Sequence, residues 1–156
     1  MLEKCKSAKE RWGGVSDIID AWLEARQTLI SQFVHFPEHQ IDAELNAHVQ
    51  EFCQTLMDYL SSGHFEVYEQ LLREGSDFDD GSVEQAQEIL PKIQESTDIA
   101  LDFNDDFSTI EDPTVQMIRE FSERLSALGI ALEERFGLED EMISVLHTSH
   151  KALVEG

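Results

Sequence analysis

Apolar residues recur at three- and four-residue steps along most of the chain, the spacing that places side chains on one face of an α-helix. The first stripe follows Gly13-Gly14 and consists of Val15, Ile18, Ile19, Trp22, Leu23, Leu29, Ile30 and Phe33. The second stripe consists of Ile41, Leu45, Val49, Phe52, Cys53, Leu56 and Leu60. Pro37 disfavours helix in the residue before it, so the pattern predicts two helices separated at about 35–38.

The middle of the chain predicts a turn, a short helix, a loop and a third long helix. Gly63 should close the second helix in the left-handed conformation, with a short helix over 64–73 and a loop over 75–81. Ser82 and Gln85 have the spacing of a capping box. The third stripe consists of Val83, Ala86, Leu90, Ile93, Thr97, Ala100 and Leu101. Pro91 interrupts it and should kink or split the helix.

Asp112-Pro113 predicts the start of a last helix, with Asp at the N-cap and Pro at the first helical position. Its stripe consists of Ile118, Phe121, Leu125, Leu128, Leu132, Phe136, Ile143 and Leu146. Alternating strand patterns are absent. We therefore predict an all-α fold, an antiparallel up-down bundle of four main helices with short extra helices, in a single domain over 1–156.

The aromatic residues on these stripes should form the core: Trp12, Trp22, Phe33, Phe52, Phe121 and Phe136. Cys53 also lies on a stripe, which predicts a buried free thiol. Cys5 is far from it in sequence, and two such cysteines do not indicate a disulfide framework. No apolar run approaches the ~20 residues that span a bilayer, so we expect a cytoplasmic protein without a membrane partner.

Charge is unevenly distributed. The chain has 33 Asp and Glu against 11 Lys and Arg, a net charge of −22. Over 27–118 the only basic residues are Arg73 and Lys92, against 20 carboxylates. Such a field repels nucleic acids and anionic membranes and attracts cationic partners. The charge pattern alone leaves open whether it serves a cationic partner or only solubility.

The patterns of catalytic and metal sites are missing from the sequence. A di-iron bundle would need Glu-x-x-His pairs, and the chain contains none. His35 and His39 flank Pro37, while His147 and His150 lie near the C-terminus, and both pairs fit solvated surface histidines better than metal ligands. A nucleophile elbow and a phosphate-binding loop are also missing. We predict no catalytic residues, no metal and no cofactor.

The segment over 58–65 could form a corner between two helices, with Asp58, His64 and Phe65 near one another. One interpretation is a capped turn with Phe65 packed inward. The other is an interaction site in which the charged and aromatic side chains form a binding hot spot. The local pattern by itself favours the first interpretation.

The same segment resembles the central motif of the Rsd/AlgQ family of anti-sigma factors. The resemblance rests on Phe52-Cys53-Gln54, Asp58-Tyr59-Leu60-Ser61, Gly63-His64-Phe65 and Tyr68-Glu69. Flanking motifs follow in the same order: Trp22-Leu23 with Arg26, then Ala131-Leu132-Glu133, Arg135-Phe136 and Leu138-Glu139-Asp140. The opening over 10–15 is more similar to the AlgQ branch.

The resemblance implies a transcriptional regulator that binds region 4 of the primary sigma factor of RNA polymerase. Such a protein would block the contacts of region 4 with the −35 promoter element and with core polymerase, and so favour alternative sigma factors. It would not bind nucleic acid directly. Carried over position by position, the implied partner-binding residues are Arg26, Asp58, Ser61, His64, Phe65, Tyr68 and Glu69. Two alternatives remain, a general acidic decoy of nucleic-acid-binding proteins and a metal-dependent helical-bundle enzyme.

Overall fold

The structure, a computed structural model, describes residues 2–36, 43–78, 80–108 and 114–148, and the side chains of 17–36, 45–78, 80–108 and 114–147. Its helices are α1 (Leu2–Val34), α2 (Ala43–Ser62), α3 (Tyr68–Gly75), α4 (Ser82–Phe107) and α5 (Val115–Ile143). A π-helical segment, Gly63–Val67, joins α2 to α3, a 3-10 turn, Ser76–Phe78, follows α3, and a second π segment, Ser144–Thr148, follows α5. These described ranges contain no strand.

The all-α prediction is confirmed, with four long helices, α1, α2, α4 and α5, and short extra ones. The up-down order of the helices and the single domain over 1–156 stay predictions. Helix α1 ends at Val34, as the pattern around Pro37 predicted. It begins at Leu2, much earlier than predicted, and runs through Gly13 and Gly14. Each glycine costs about 1 kcal/mol in a helix interior, which a helix of this length tolerates.

The predicted turn at Gly63 is wrong. The chain continues from α2 into the π segment without a left-handed residue, and the Tyr68 amide donates to the Gly63 carbonyl, five residues back. Glycine is needed here for space: a Cβ on Gly63 would lie 3.1 Å from the Tyr68 hydroxyl oxygen and 3.4 Å from Trp22 Nε1. The sequence pattern predicted that Gly63 ends a helix. In the structure, its missing side chain instead lets Tyr68 and Trp22 pack closely.

Helix α4 is continuous through Pro91, so of the two predicted effects the split is wrong and the kink stays a prediction. The capping box at Ser82 is also wrong, because the N-cap residue is Gly81, with φ of 85°. The Asp80 carboxylate accepts from the Ser82 amide at 3.1 Å instead. This carboxylate satisfies the Ser82 amide, which in the predicted box would have donated to the Gln85 side chain.

The start of α5 differs from the predicted Asp112-Pro113 restart, and those two residues lie outside the described residues. The observed N-cap is Thr114, whose hydroxyl accepts from the Met117 amide at 3.2 Å. Thr114 has the extended backbone that an N-cap residue requires.

The core unites residues from all five α-helices, and it includes the fully buried Phe52, Leu56, Ile93 and Leu128. Trp22 and Cys53 are buried as predicted, while Phe33, Phe121 and Phe136 pack against the core from its edge. The Trp12 side chain lies outside the described residues. Burial of one large apolar side chain stabilises the fold by about 1.5–3 kcal/mol, so these stripes account for the packing of the helices.

The second π segment corrects one histidine prediction. His147 is buried rather than solvated, next to the fully buried Leu146. A methyl of Leu146 lies 2.6 Å from the position that a Cβ of Gly75 would occupy, so the segment packs tightly on the end of α3. His35 is exposed, whereas His39 and His150 lie outside the described residues. None of the helices in the described part of the chain is long and apolar enough to cross a membrane.

Candidate protein-binding groove

A groove of about 610 Å³ lies between the helical path from α2 to α3 and helix α4. It brings together four of the predicted partner-binding residues, Ser61, His64, Phe65 and Glu69. The rest of its lining consists of Met57, Leu60, Gln94, Thr97 and Leu101. We call this feature the Phe65 groove.

The Phe65 side chain is 75% exposed, so the interpretation that packed it inward is wrong. The π segment accounts for this orientation. Its extra residue shifts the helical register so that Val67 and Tyr68 face the core while Phe65 faces solvent. Leu101, also in the lining, is 40% exposed. Exposed apolar side chains of this size in one groove are typical of interaction surfaces.

Carboxylates accompany the groove. Glu69 lines it and is exposed. Asp58 is exposed on α2 and accepts from the Gln54 side chain at 3.0 Å, but it is not part of the groove lining. On α4, the lining residue Gln94 donates to the exposed Asp98 at 3.1 Å. The groove therefore combines an apolar centre with nearby negative charge.

His64 is half-buried in the wall of the groove. Its Nε2 lies 3.1 Å from the Thr97 hydroxyl, and its ring meets the edge of the Tyr68 ring at 5.2 Å between centroids. Burial lowers the pKa of His64, and the nearby Arg135 guanidinium lowers that pKa further. The imidazole is therefore neutral at pH 7.

Arg26 and Tyr68, the other two predicted partner-binding residues, are buried and do not line the groove. Both contact the Glu139 carboxylate, which is fully buried on α5. This placement makes them residues that support the site from the core.

Glu139 is the centre of a buried polar network. Its Oε1 accepts from the Tyr59 hydroxyl at 2.5 Å and from Arg26 at 3.3 Å. Its Oε2 accepts from the Tyr68 hydroxyl and from Arg135 Nε, the latter at 3.1 Å. A buried ion pair is tolerated when further hydrogen bonds satisfy its remaining atoms, and here two tyrosines supply them.

Arg135 connects this network to the groove. Its NH1 donates to the Thr97 hydroxyl at 2.6 Å, to Ser96 Oγ at 3.1 Å and to the Ile93 carbonyl at 3.4 Å. Thr97 in turn contacts His64. Sequence reasoning placed Thr97 on a core stripe and Arg135 in a flanking motif, but it assigned neither residue to the site. The sequence did contain one signal for Arg135. It is a charged residue on the core-facing stripe of α5, four residues before Glu139, where the two side chains can pair.

Trp22 fixes the other side of the network. Its indole NH donates to the Tyr59 carbonyl at 3.2 Å, and the two rings stack with centroids 5.0 Å apart. The Arg26 guanidinium lies 4.8 Å from the centre of the Phe136 ring, a cation–π distance. In the ranges that the structure describes, no three His, Cys, Asp or Glu side chains come together as metal ligands would.

Comparisons with known proteins agree on one family. The family described as "Regulator of RNA polymerase sigma(70) subunit, Rsd/AlgQ" matches residues 1–147. Regulator of sigma D from Yersinia pseudotuberculosis serotype O:1b (strain IP 31758) is 34% identical, with 92% of this chain and 87% of the relative covered. Regulator of sigma D from Enterobacter sp. (strain 638) is 36% identical, with 93% and 89% covered. No solved structure matches the chain.

These matches confirm the family to which the sequence motifs pointed. The family consists of regulatory proteins, which confirms that the chain is not an enzyme. The chain belongs to the Rsd/AlgQ family of regulators of the RNA polymerase sigma(70) subunit.

Proposed function

We propose that this chain is an anti-sigma factor that binds region 4 of the primary sigma factor through the Phe65 groove. Bound there, it blocks the contacts of region 4 with the −35 promoter element and with core polymerase, which favours alternative sigma factors. The observation that carries the proposal is the 75% exposure of Phe65 in a groove accompanied by carboxylates. The relatives named Regulator of sigma D support the choice of partner.

The groove fits a partner that offers an apolar side chain among basic ones. Phe65 and Leu101 provide the apolar contact area, and Glu69 provides a carboxylate beside them. Aromatic residues in such positions commonly contribute most of the binding energy of an interface. Region 4 carries a helix-turn-helix whose DNA-facing surface is basic, so it offers the complementary charge.

Helix α4 extends the negative surface beyond the groove. Its exposed carboxylates recur at helical spacing along one face: Glu84, Glu88, Glu95, Asp98 and Asp102. From the first to the last of these the helix rises about 27 Å. Such a stripe speeds the encounter with a basic surface, while the buried contacts of the groove determine how long the complex lasts. It also opposes direct binding of nucleic acid, because the phosphates would be repelled.

The cellular setting follows from the partner. Sigma factors act on RNA polymerase in the cytoplasm, so we place this protein there. We also propose that residues 1–156 fold as a single domain, because one core unites residues from all five α-helices. Neither a metal nor a cofactor is required for the binding described.

The test compares region 4 with a second basic helix-turn-helix domain from an unrelated DNA-binding protein. Affinities are measured by calorimetry at two salt concentrations, and a −35 DNA duplex is added as a competitor. We expect tight binding to region 4, displacement by the duplex, and at least tenfold weaker binding to the unrelated domain. Similar affinity for both domains would contradict the proposal and favour the general acidic decoy.

A further inference from the structure

We propose that Thr97 and Arg135 are positioning residues that hold the His64 imidazole neutral in the Phe65 groove, so that protonation of His64 releases the partner. The inference rests on the proposed function, because the groove must be the binding site. It adds residues on α4 and α5, and a dependence on pH, to that site.

The hydrogen bonds define which atoms act. The Thr97 hydroxyl oxygen accepts from Arg135 NH1 at 2.6 Å and lies 3.1 Å from His64 Nε2. The hydroxyl proton has two possible acceptors, the Ile93 carbonyl at 3.3 Å and His64 Nε2, and it can go to Nε2 only if that nitrogen is unprotonated. Arg135 cannot lose its proton. A protonated Nε2 would have to donate to the oxygen that already accepts from Arg135 NH1, which brings two positive charges to one hydroxyl, so this contact favours neutral His64.

The charges around the imidazole have the same effect. Arg135 on α5 places a positive charge close to His64, and its Nε donates to the Glu139 carboxylate. From α4, the lining residues Gln94, Thr97 and Leu101 contribute no charge, and neither do the lining residues of α2. From the helical path that carries His64, Tyr68 contributes an uncharged ring and Glu69 a carboxylate in the groove.

Protonation would change the groove in two ways. The Nε2 atom would become a donor facing the Thr97 hydroxyl, which already accepts from Arg135. The imidazolium would also place a positive charge in a groove that binds a basic surface. Both changes weaken the complex, so a drop in pH should release the partner.

The expected size follows from the titration of one histidine. Suppose that binding requires a neutral histidine with the ordinary pKa of about 6.5. The Kd at pH 5.5 is then about 11-fold higher than the Kd with the histidine fully neutral. Burial and Arg135 lower the pKa of His64, so the increase between pH 7.5 and 5.5 should be smaller than this. The Kd for region 4 is measured at both pH values for the wild type and His64→Gln, whose side chain does not titrate. We expect an increase in the wild type that His64→Gln abolishes, and equal pH dependence in both would overturn the proposal.

Thr97→Val tests the positioning role, since it removes the hydroxyl and keeps the shape. Arg135 NH1 retains two acceptors, Ser96 Oγ and the Ile93 carbonyl, so this variant should fold, which a thermal melt checks. We expect Thr97→Val to weaken binding at pH 7.5 about 2- to 12-fold, the effect of one hydrogen bond, and Thr97→Ser to restore it. Equal weakening in both variants would overturn the positioning role.

A measurement on the free protein separates this inference from the proposed function. The titration of the His64 ring is followed by NMR in the wild type, Thr97→Val and Thr97→Ser without any partner. We expect the midpoint in Thr97→Val to be higher than in the wild type, with Thr97→Ser close to the wild type. Identical midpoints would overturn the inference even if region 4 binds, whereas a complete lack of region 4 binding would overturn the proposed function whatever the midpoints are.

Discussion

Tyr68 packs against Gly63 so closely that a Cβ on this glycine would lie 3.1 Å from the tyrosine hydroxyl oxygen. This contact brings the Tyr68 hydroxyl to Glu139 and leaves Phe65, between the two residues in sequence, facing solvent. One small residue therefore determines both the buried network and the exposed aromatic ring of the groove.

Gly63→Ala should destabilise the protein by about 1–3 kcal/mol, because the added methyl must displace Tyr68 or Trp22. Gly137→Ala is the matched control, since Gly137 lies inside α5 and a Cβ there meets no atom within 4 Å. The control should stabilise the protein by up to about 1 kcal/mol, the difference in helix propensity. Urea unfolding measures both, and a stabilising Gly63→Ala would contradict the packing argument.

Glu139→Gln should destabilise the fold by about 3–5 kcal/mol, because it leaves Arg26 and Arg135 buried without their shared carboxylate. Asp140→Asn is the control. Asp140 contacts Arg26 at 2.7 Å but is largely exposed, and such ion pairs contribute about 0–1 kcal/mol. Denaturant midpoints for the two variants should differ clearly. Equal losses would show that the network contributes no more than a surface ion pair.

Cys53 should react slowly with thiol reagents in the folded protein. Burial raises its pKa to about 11, so almost no thiolate is present at pH 8. The measurement uses a Cys5→Ser variant, in which Cys53 is the only thiol, and follows Ellman's reagent with and without urea. Rapid reaction without urea would show that this part of α2 opens readily.

Stability should fall in mildly acidic solution through His64. Its pKa is lowered in the folded state, so the folded protein prefers the neutral ring. The stability that this preference contributes is fully present above the pKa of His64 in the unfolded chain, about 6.5. It is lost as the pH falls through that value toward the pKa in the folded protein. His64→Gln should lose less stability than the wild type between pH 7.5 and 5.5. Parallel melting curves across this range would contradict the assigned direction.

The helices were predictable because their apolar spacing is a local property. Leu56 and Ile93 are buried as their stripes predicted. The exposure of Phe65 was not predictable in this way. The same sequence around Gly63 is compatible with a helix that ends there and with one that continues as a π turn. What decides between them is the approach of Trp22 and Tyr68, a tertiary contact that no local pattern contains.

The candidate site shows the same division. The family motifs pointed to four residues that the structure brings to one groove: Ser61, His64, Phe65 and Glu69. The contribution of α4 was missed, because Thr97 is separated by 33 residues from the histidine that it contacts. Only the packing of α4 beside α2 reveals that contact, and periodicity had placed Thr97 in the core.

The central claim is that Phe65 and its surroundings anchor region 4, while diffuse acid mainly speeds the encounter. Dissociation rates of region 4 test it with Asp58→Ala and Phe65→Ala against two controls. Ile130→Ala removes an apolar side chain that is 70% exposed but outside the groove. A double Asp79→Asn, Asp80→Asn variant neutralises two charges in the segment that the sequence predicts as a loop, 75–81. Thermal melts first establish that each variant is folded.

We predict that Phe65→Ala speeds dissociation about 30-fold, the effect of losing roughly 2 kcal/mol at a hot spot, and that Asp58→Ala speeds it more than either control. The double loop variant should slow association and change dissociation little. Equal changes in the dissociation rate for Phe65→Ala, Ile130→Ala and the double loop variant would contradict the anchored groove.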